Sequence, residues 1–166
     1  MKKLALLVSM IIFACTAAYA DKKEKLNEDT NSFRYDIEYC KMATDGMVTV
    51  KVWSYSKRAD LATQQCRKNA VHGVIFRGYV ANNSSASMSP LVKDATLESA
   101  KADFFRAFFS EEGPYMRYVT TMIDGSAEVR KVGKEYKVGV VVTVQRDMLR
   151  KHLEEAGIIM GLSSIF

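Results

Sequence analysis

The chain has 166 residues, of which 26% are charged, and a net charge of +5; this length suits one domain with a real hydrophobic core. So mild a positive charge does not indicate nucleic-acid binding, which requires a concentrated basic patch. No apolar stretch reaches the roughly 20 residues that a membrane-spanning helix needs.

Residues 1–20 have the features of a cleaved signal peptide. Two lysines precede an apolar run from Leu4 to Cys15, and residues 18–20 form the small-x-small pattern of a cleavage site. We therefore expect an exported protein of the periplasm or cell envelope. A lipoprotein is the alternative, because residues 12–15 loosely match a lipoprotein box in which Cys15 would be lipidated.

A polar leader and a β-hairpin follow. Residues 21–32 are too charged to repay the cost of ordering, so we expect a flexible leader before a single domain at 33–166. Apolar and polar residues alternate over 33–40 and again over 47–55, which predicts two strands. The turn sequence at 44–46 joins them into a hairpin.

A helix is predicted next, because the apolar period changes to about 3.6 from Lys57 onwards. Small side chains on one stripe of a helix permit close packing on a sheet. The stripe consists of Ala59, Ala62, Cys66, Ala70 and Gly73. Val74 to Phe76 are then predicted to form a short strand that ends at Gly78.

The middle of the chain contains a long loop and a second helix. Residues 81–93 are rich in Asn and Ser and have no period, so this loop is either functional or disordered. Asp94 or Thr96 can cap the helix that follows. Its core side is predicted to carry Leu97, Ala100, Phe104 and Phe108.

The C-terminal part is predicted to be a three-stranded meander followed by a helix. Strands are expected at 115–122 and 126–132, joined by a tight turn, and the second turns at 133–134 into a strand at 135–144. That last strand places Tyr136, Val138, Val140, Val142 and Val144 on one face, and Leu149, Leu153 and Ala156 mark the helix after it.

The apolar tail at 158–166 should dock on the domain; a dimer contact or peripheral contact with a membrane are the alternatives. The elements together predict an α+β fold. We expect an antiparallel sheet of about five or six strands with two to three helices packed mainly on one face.

Cys40 and Cys66 remain after signal cleavage, and exported proteins meet oxidising conditions. The two cysteines could form a disulfide. Alternatively, each is a small buried hydrophobic residue, with Cys66 facing the sheet from its helix. Their spacing from His72 and His152 does not suggest a zinc site.

Candidate catalytic groups are scarce. His72 and His152 could act as bases, but neither lies in a recognisable catalytic motif, and no nucleophile elbow, phosphate loop or calcium loop is present. Paired acidic residues lie at helix ends and should be solvated. We therefore expect a protein that is not an enzyme, with no catalytic residue, metal or cofactor.

An aromatic surface is the best candidate for binding. Trp53 and Tyr55 share the strand face opposite the valines, and Arg77 is predicted on a nearby short strand. If the helices cover the valine face, an exposed Trp53 and Tyr55 could form a partner surface with Arg77. A second covering layer or a dimer partner would explain the same pattern.

The layout of helices and strands over residues 47–158 resembles the N-terminal domain of flagellar T-ring proteins and similar small bacterial envelope lipoproteins. The motifs that carry this resemblance are Ala59-x-x-Ala62-x-x-x-Cys66-x-x-x-Ala70, Val74-Ile75-Phe76-x-Gly78, Tyr136-x-Val138-x-Val140-x-Val142 and Leu149-x-x-x-Leu153. The resemblance implies a noncatalytic module for assembly or scaffolding in the envelope.

Three functional hypotheses follow. The first is a noncatalytic envelope protein that binds another envelope protein or a cell-surface component, itself as a monomer or an oligomer; a flat aromatic patch at Trp53 would favour it. The second is a small secreted hydrolase or inhibitor that uses the Asn/Ser loop, which polar side chains converging on His72 or His152 would favour. The third is a carrier of a small apolar ligand, with a pocket lined by Phe104, Phe108 and the valine face.

Overall fold

The structure, a computed structural model, describes residues 33–42, 46–79, 87–121 and 127–161. The expected signal peptide with Cys15, the leader at 21–32, residues 81–86 of the Asn/Ser loop and residues 162–166 of the tail lie outside the described residues. The described residues from Arg34 onwards belong to one compact unit.

A five-stranded antiparallel sheet forms the centre of this unit. Its strands are β1 (Tyr35–Met42), β2 (Val48–Ser56), β3 (Val119–Thr121), β4 (Glu128–Val132) and β5 (Glu135–Val144). The order is β1-β2-β5, with β3 and β4 both pairing with β5. The hairpin of β1 and β2, the turn from β4 into β5 and the α+β class are all as predicted.

The alternating valines make one face of this sheet apolar. Val48, Val50 and Val52 of β2 lie directly opposite Val144, Val142 and Val140 of β5. All six side chains are buried. Because removal of apolar surface from water stabilises folding by about 25 cal/mol per Å², this face must be covered, and the helices cover it.

Four α-helices are present in the described residues: α1 (Ala59–His72), α2 (Leu97–Ala100), α3 (Ala102–Phe108) and α4 (Arg146–Glu155). α1 lies on β2 and β5. Its stripe of Ala62, Cys66 and Ala70 is fully buried, as the small side chains predicted. Leu149 and Leu153 of α4 are also fully buried.

The strand predicted at Val74–Phe76 is wrong, because α1 continues through a π-helical turn, Gly73–Arg77. Gly73 keeps helical angles, φ −61° and ψ −42°, so it does not end the helix. It lies against β1, where a Cβ would come within 2.7 Å of Ile37 Cδ1. A short apolar run buried on all sides has no period that separates a strand from a helix.

The second predicted hairpin is also wrong. Pro114–Tyr118 forms a 3₁₀ turn, and β3 and β4 do not pair with each other. Both pair with β5, β3 at Val142–Val144 and β4 at Glu135–Gly139. Since β2 occupies one edge of β5 along nearly its whole length, β3 and β4 share the other. The alternation predicted the strands but not their partner.

The second helix differs in detail from the prediction. It is interrupted at Lys101, between α2 and α3. Ala100 is exposed, and the buried residues are Phe105, Phe108 and Phe109. The break at Lys101 rotates α3 relative to the single helical stripe that the sequence suggested.

We predict that Gly139→Ala lowers the free energy of unfolding by about 1–3 kcal/mol. A Cβ at position 139 would meet the Trp53 ring at 2.7 Å. Val141→Ala, on the same face of β5 and half-buried, is the matched control and should cost less. Urea unfolding measures both. In a Trp53→Leu background the penalty of Gly139→Ala should disappear; an unchanged penalty would refute the steric explanation.

Candidate functional sites on the open sheet face and at His72

Trp53 lies on the face of the sheet opposite the valines, directly across from Gly139. The indole ring rests on that glycine, since a Cβ there would come within 2.7 Å of its Cε3 and Cζ3 atoms. The indole Nε1 is buried and makes no hydrogen bond in the described part of the chain. Packing and charge contacts therefore hold the ring in place.

Among the described residues, three cations cover the indole ring of Trp53. The Lys51 Nζ, Arg130 Cζ and Lys137 Nζ atoms lie 4.6, 4.9 and 5.2 Å from the ring centroid. Cations prefer this position over an aromatic face, and their long stems exclude water. Trp53 is consequently only 5% exposed, so the exposure that the sequence suggested is not observed.

Glu128 joins two of these cations. Its carboxylate binds Lys51 through one oxygen and the Arg130 Nη2 atom, at 3.1 Å, through the other. The hydrogen bond from Lys51 is the largest cause that holds the pKa of Glu128 below its usual value. Lys51 lies two residues before Trp53 and so shares its strand face, but the contribution of Arg130 depends on strand pairing that the sequence does not reveal.

Tyr55 and Arg77 lie in different surroundings. The Tyr55 hydroxyl donates to Asp36 at 2.6 Å, and Lys137 donates to the same carboxylate at 2.9 Å. The Arg77 guanidinium carbon is 4.1 Å from the Tyr35 ring centroid, and its Nη1 donates to the Tyr35 carbonyl at 3.1 Å. Tyr55 therefore shares the open face with Trp53, whereas Arg77 lies at the β1 edge of the sheet.

β4 is an exposed edge strand beside Trp53 and the charged residues around it, which we call the Trp53 cluster: Lys51, Glu128, Arg130 and Lys137. All five of its residues are exposed, and Val129 and Val132 each keep 53% of their accessible surface. β5 occupies its inner edge, and among the described residues no strand pairs with its outer edge. An open edge of this kind can add a strand from another chain.

A chain of hydrogen bonds passes through His72. Its Nδ1 atom lies 2.7 Å from the Tyr35 hydroxyl oxygen, and its Nε2 atom lies 3.0 Å from Glu98 Oε1. The ring also packs against Phe76, with centroids 4.9 Å apart. The contact links β1, α1 and α2, which the sequence could not indicate because the three residues are distant in the chain.

Burial determines the protonation state of the His72 ring. It lowers the pKa of His72 to about 4, although Glu98 acts in the opposite direction. The ring is therefore neutral at pH 7; Nδ1 accepts from Tyr35, and Nε2–H donates to Glu98. Burial also raises the pKa of Tyr35. Tyr35 as a whole is only 5% exposed, so its hydroxyl is protonated at pH 7.

His152, the other candidate base, lies among aromatic rings. Its centroid is 5.5 Å from that of Tyr118 and 5.6 Å from that of Phe108. The ring is half-buried. These neighbours give His152 a packing role between α4 and the preceding turn.

The two described cysteines are both free: Cys40 is exposed and Cys66 is buried. The Cys66 thiol lies 3.3 Å from Ser54 Oγ and 3.4 Å from the Val138 carbonyl oxygen. The disulfide that the sequence suggested is not formed, because the α1 stripe directs Cys66 onto the centre of the sheet while Cys40 lies on edge strand β1. Burial raises the pKa of the Cys66 thiol.

Alkylation of the native protein should therefore modify Cys40 and leave Cys66 unmodified. Cys66 should react only after unfolding in denaturant, because its thiol is buried and thiol reactivity follows thiolate fraction and access. Peptide mass spectrometry locates the label on each cysteine. Protection of both residues until a reductant is added would reveal a disulfide and contradict this expectation.

The neutral state of His72 should make stability depend on pH. Its pKa falls from 6.5 to about 4 on folding, so its contribution is complete above pH 6.5 and is lost as the pH falls towards 4. We expect a loss of about 2 kcal/mol between about pH 7 and pH 5, measured by urea unfolding. Lys68, whose pKa burial lowers to about 8, titrates outside that interval.

His72→Gln is the control for this pH effect, because glutamine retains a donor and an acceptor but does not titrate. Its unfolding free energy should change less than that of the wild type over the same interval. Parallel curves for the two proteins would show that other groups cause the pH dependence.

Neither a metal site nor a membrane-spanning helix is found in the described part of the chain. The described ranges contain no group of three or more His, Cys, Asp or Glu side chains that could hold a metal ion. None of the helices in these ranges combines the length and the hydropathy needed to cross a membrane.

No protein-family model matches the chain, and no curated protein or solved structure matches it either.

Proposed function

We propose that this protein is an exported, noncatalytic binding or assembly module of the cell envelope, and that it binds an extended segment of a protein partner along β4. The exposure of all five β4 residues at the edge of the sheet carries the proposal. Export rests on the signal pattern at residues 1–20. The resemblance to T-ring domains and envelope lipoproteins supports an assembly role.

The opposite edge of the sheet is less suited to binding. At β1, Arg77 donates a hydrogen bond to the carbonyl oxygen of Tyr35. The register between β1 and β2 shifts between Tyr39 and Lys41. Irregularities and side chains at an edge are common means of preventing strand addition. β4, in contrast, keeps one register with β5 over its five residues, so a partner strand can continue the ladder.

The Trp53 cluster places charged side chains along the rim of this edge. Glu128 and Arg130 of β4 face the same side as Trp53 and contact Lys51 and the indole ring, respectively. A partner strand on β4 would meet these charges first, with Trp53 and Tyr55 behind them. Charges at a rim favour correct register and partner choice more than affinity.

The alternatives receive less support. Polar groups do converge on His72, which would favour a hydrolase, but the ring and the Tyr35 hydroxyl are shielded from solvent and the hydroxyl pKa is raised. Phe104 and Phe108, the expected lining of a carrier pocket, stack on each other with ring centroids 5.8 Å apart; Phe108 is buried in the core and Phe104 is half-buried. Residues 81–86 of the Asn/Ser loop lie outside the described residues.

Chemical cross-linking in the native envelope fraction tests the proposal. An amine cross-linker should connect Lys131 of β4 to a partner more often than Lys151 of α4, although both lysines are exposed. Val129→Lys/Val132→Lys should abolish the connection, because lysine on an edge strand disfavours strand addition.

Met148→Lys is the matched control, since it places the same charge at an exposed apolar site on α4. It should leave the cross-link unchanged. Thermal unfolding of all variants would verify that they fold. Equal cross-linking in the β4 variant and the wild type would contradict the role of β4.

A further inference from the structure

We infer that the strand that pairs with β4 is the β4 strand of a second copy of this chain, antiparallel to the first, with Val129 at a two-fold axis. This inference rests on the proposed function and names its partner. It is carried by the exposed edge of β4 together with the order of charges along it.

β4 is complementary to itself about Val129. In an antiparallel pair centred there, Glu128 lies opposite Arg130 of the second copy, and Arg130 lies opposite its Glu128. The register of β4 with β5 places both residues on the open face, across from Gly139 and Lys137. Two identical ion-pair contacts then form on one face. Self-complementarity of this kind is what a two-fold interface between identical subunits requires.

Other registers are less favourable. A two-fold axis perpendicular to the sheet places the same face of both copies on the same side. A β4 residue can therefore pair only with a residue whose side chain lies on that same face. An axis at Glu128, Arg130 or Lys131 would place two like charges directly opposite each other, which is destabilising. An axis at Val132 would place Arg130 opposite Lys134. The Val129 axis pairs opposite charges and places a valine against its own copy.

The association should be weak. Five residues at a strand edge cover much less than the roughly 800 Å² per partner of a standard interface. Glu128 and Arg130 are exposed ion-pairing groups, with 46% and 65% of their side-chain surface accessible, and such pairs contribute little affinity. We therefore expect a dimer whose population rises with concentration and whose register is set by the charges.

Site-directed disulfide formation tests this register. In a Cys15→Ser/Cys40→Ser background, which leaves buried Cys66 as the one native cysteine, Val129→Cys is compared with Val132→Cys. The two valines have the same exposure, 53%, and lie on the same strand. In the proposed dimer the two Cα atoms at position 129 are about 4.5–5.5 Å apart, within disulfide range. Those at position 132 are about 20 Å apart.

Mild oxidation of the folded full chain should therefore yield at least about tenfold more disulfide-linked dimer for Val129→Cys than for Val132→Cys. Dilution should reduce the yield for Val129→Cys, since the dimer is weak. Equal yields at the two positions, or no dimer at either, would overturn the inference.

Charge reversal provides an independent test. With Val129→Cys present, Glu128→Arg alone or Arg130→Glu alone should reduce the linked dimer severalfold, because like charges then face each other. Mixing the two variants should restore it as a heterodimer, since each strand then meets its opposite charges. A mixture that remains as low as its components would overturn the charge-set register.

The outcome is separable from that of the proposed function. If Val129→Cys does not cross-link but Lys131 still connects to a different envelope protein, the second copy is excluded as the partner and the binding role of β4 stands. If Lys131 connects to nothing and Val129→Cys does not cross-link, both proposals fail.

Discussion

Burial of the β5 valines beneath α1 is the interaction on which the rest of the structure depends. Val138, Val142 and Val144 are fully buried, and β5 has strand partners on both edges. Because strand side chains alternate, a slip of one residue would expose these valines and bury the Lys137 side of the strand. The covered face therefore determines the register of the whole sheet, including the residues on its open face.

The open face follows directly from that register. Trp53 and Gly139 form the pair next to Val52 and Val140, and their side chains lie on the other face of the sheet. Because glycine has no side chain, the indole can lie flat on the sheet at this point. Cations from β2, β4 and β5 then lie over the ring and shield it. Charged side chains thereby shield the indole from solvent, whereas all five residues of β4 remain exposed at the neighbouring edge of the sheet.

The covered face also contains polar side chains, and the following ones hydrogen bond to one another. Asn69 donates to Ser54 at 2.8 Å, and the Cys66 thiol contacts the same hydroxyl. His72 ties the end of α1 to Tyr35 and Glu98. These contacts orient α1 on the sheet.

The sequence by itself determined the α+β class, the first hairpin, the valine face and the small-residue stripe of α1, because each is a local period or turn signal. It also placed Trp53 on the face opposite the valines. Only the tertiary structure decided that Val74–Phe76 continues a helix, that β3 and β4 share one edge of β5, and that Cys40 and Cys66 remain apart. The shielding of Trp53 and the contacts of His72 depend on residues from separate elements. Periodicity reports which side of an element is apolar, but strand partners and side-chain neighbours are set by how the elements pack.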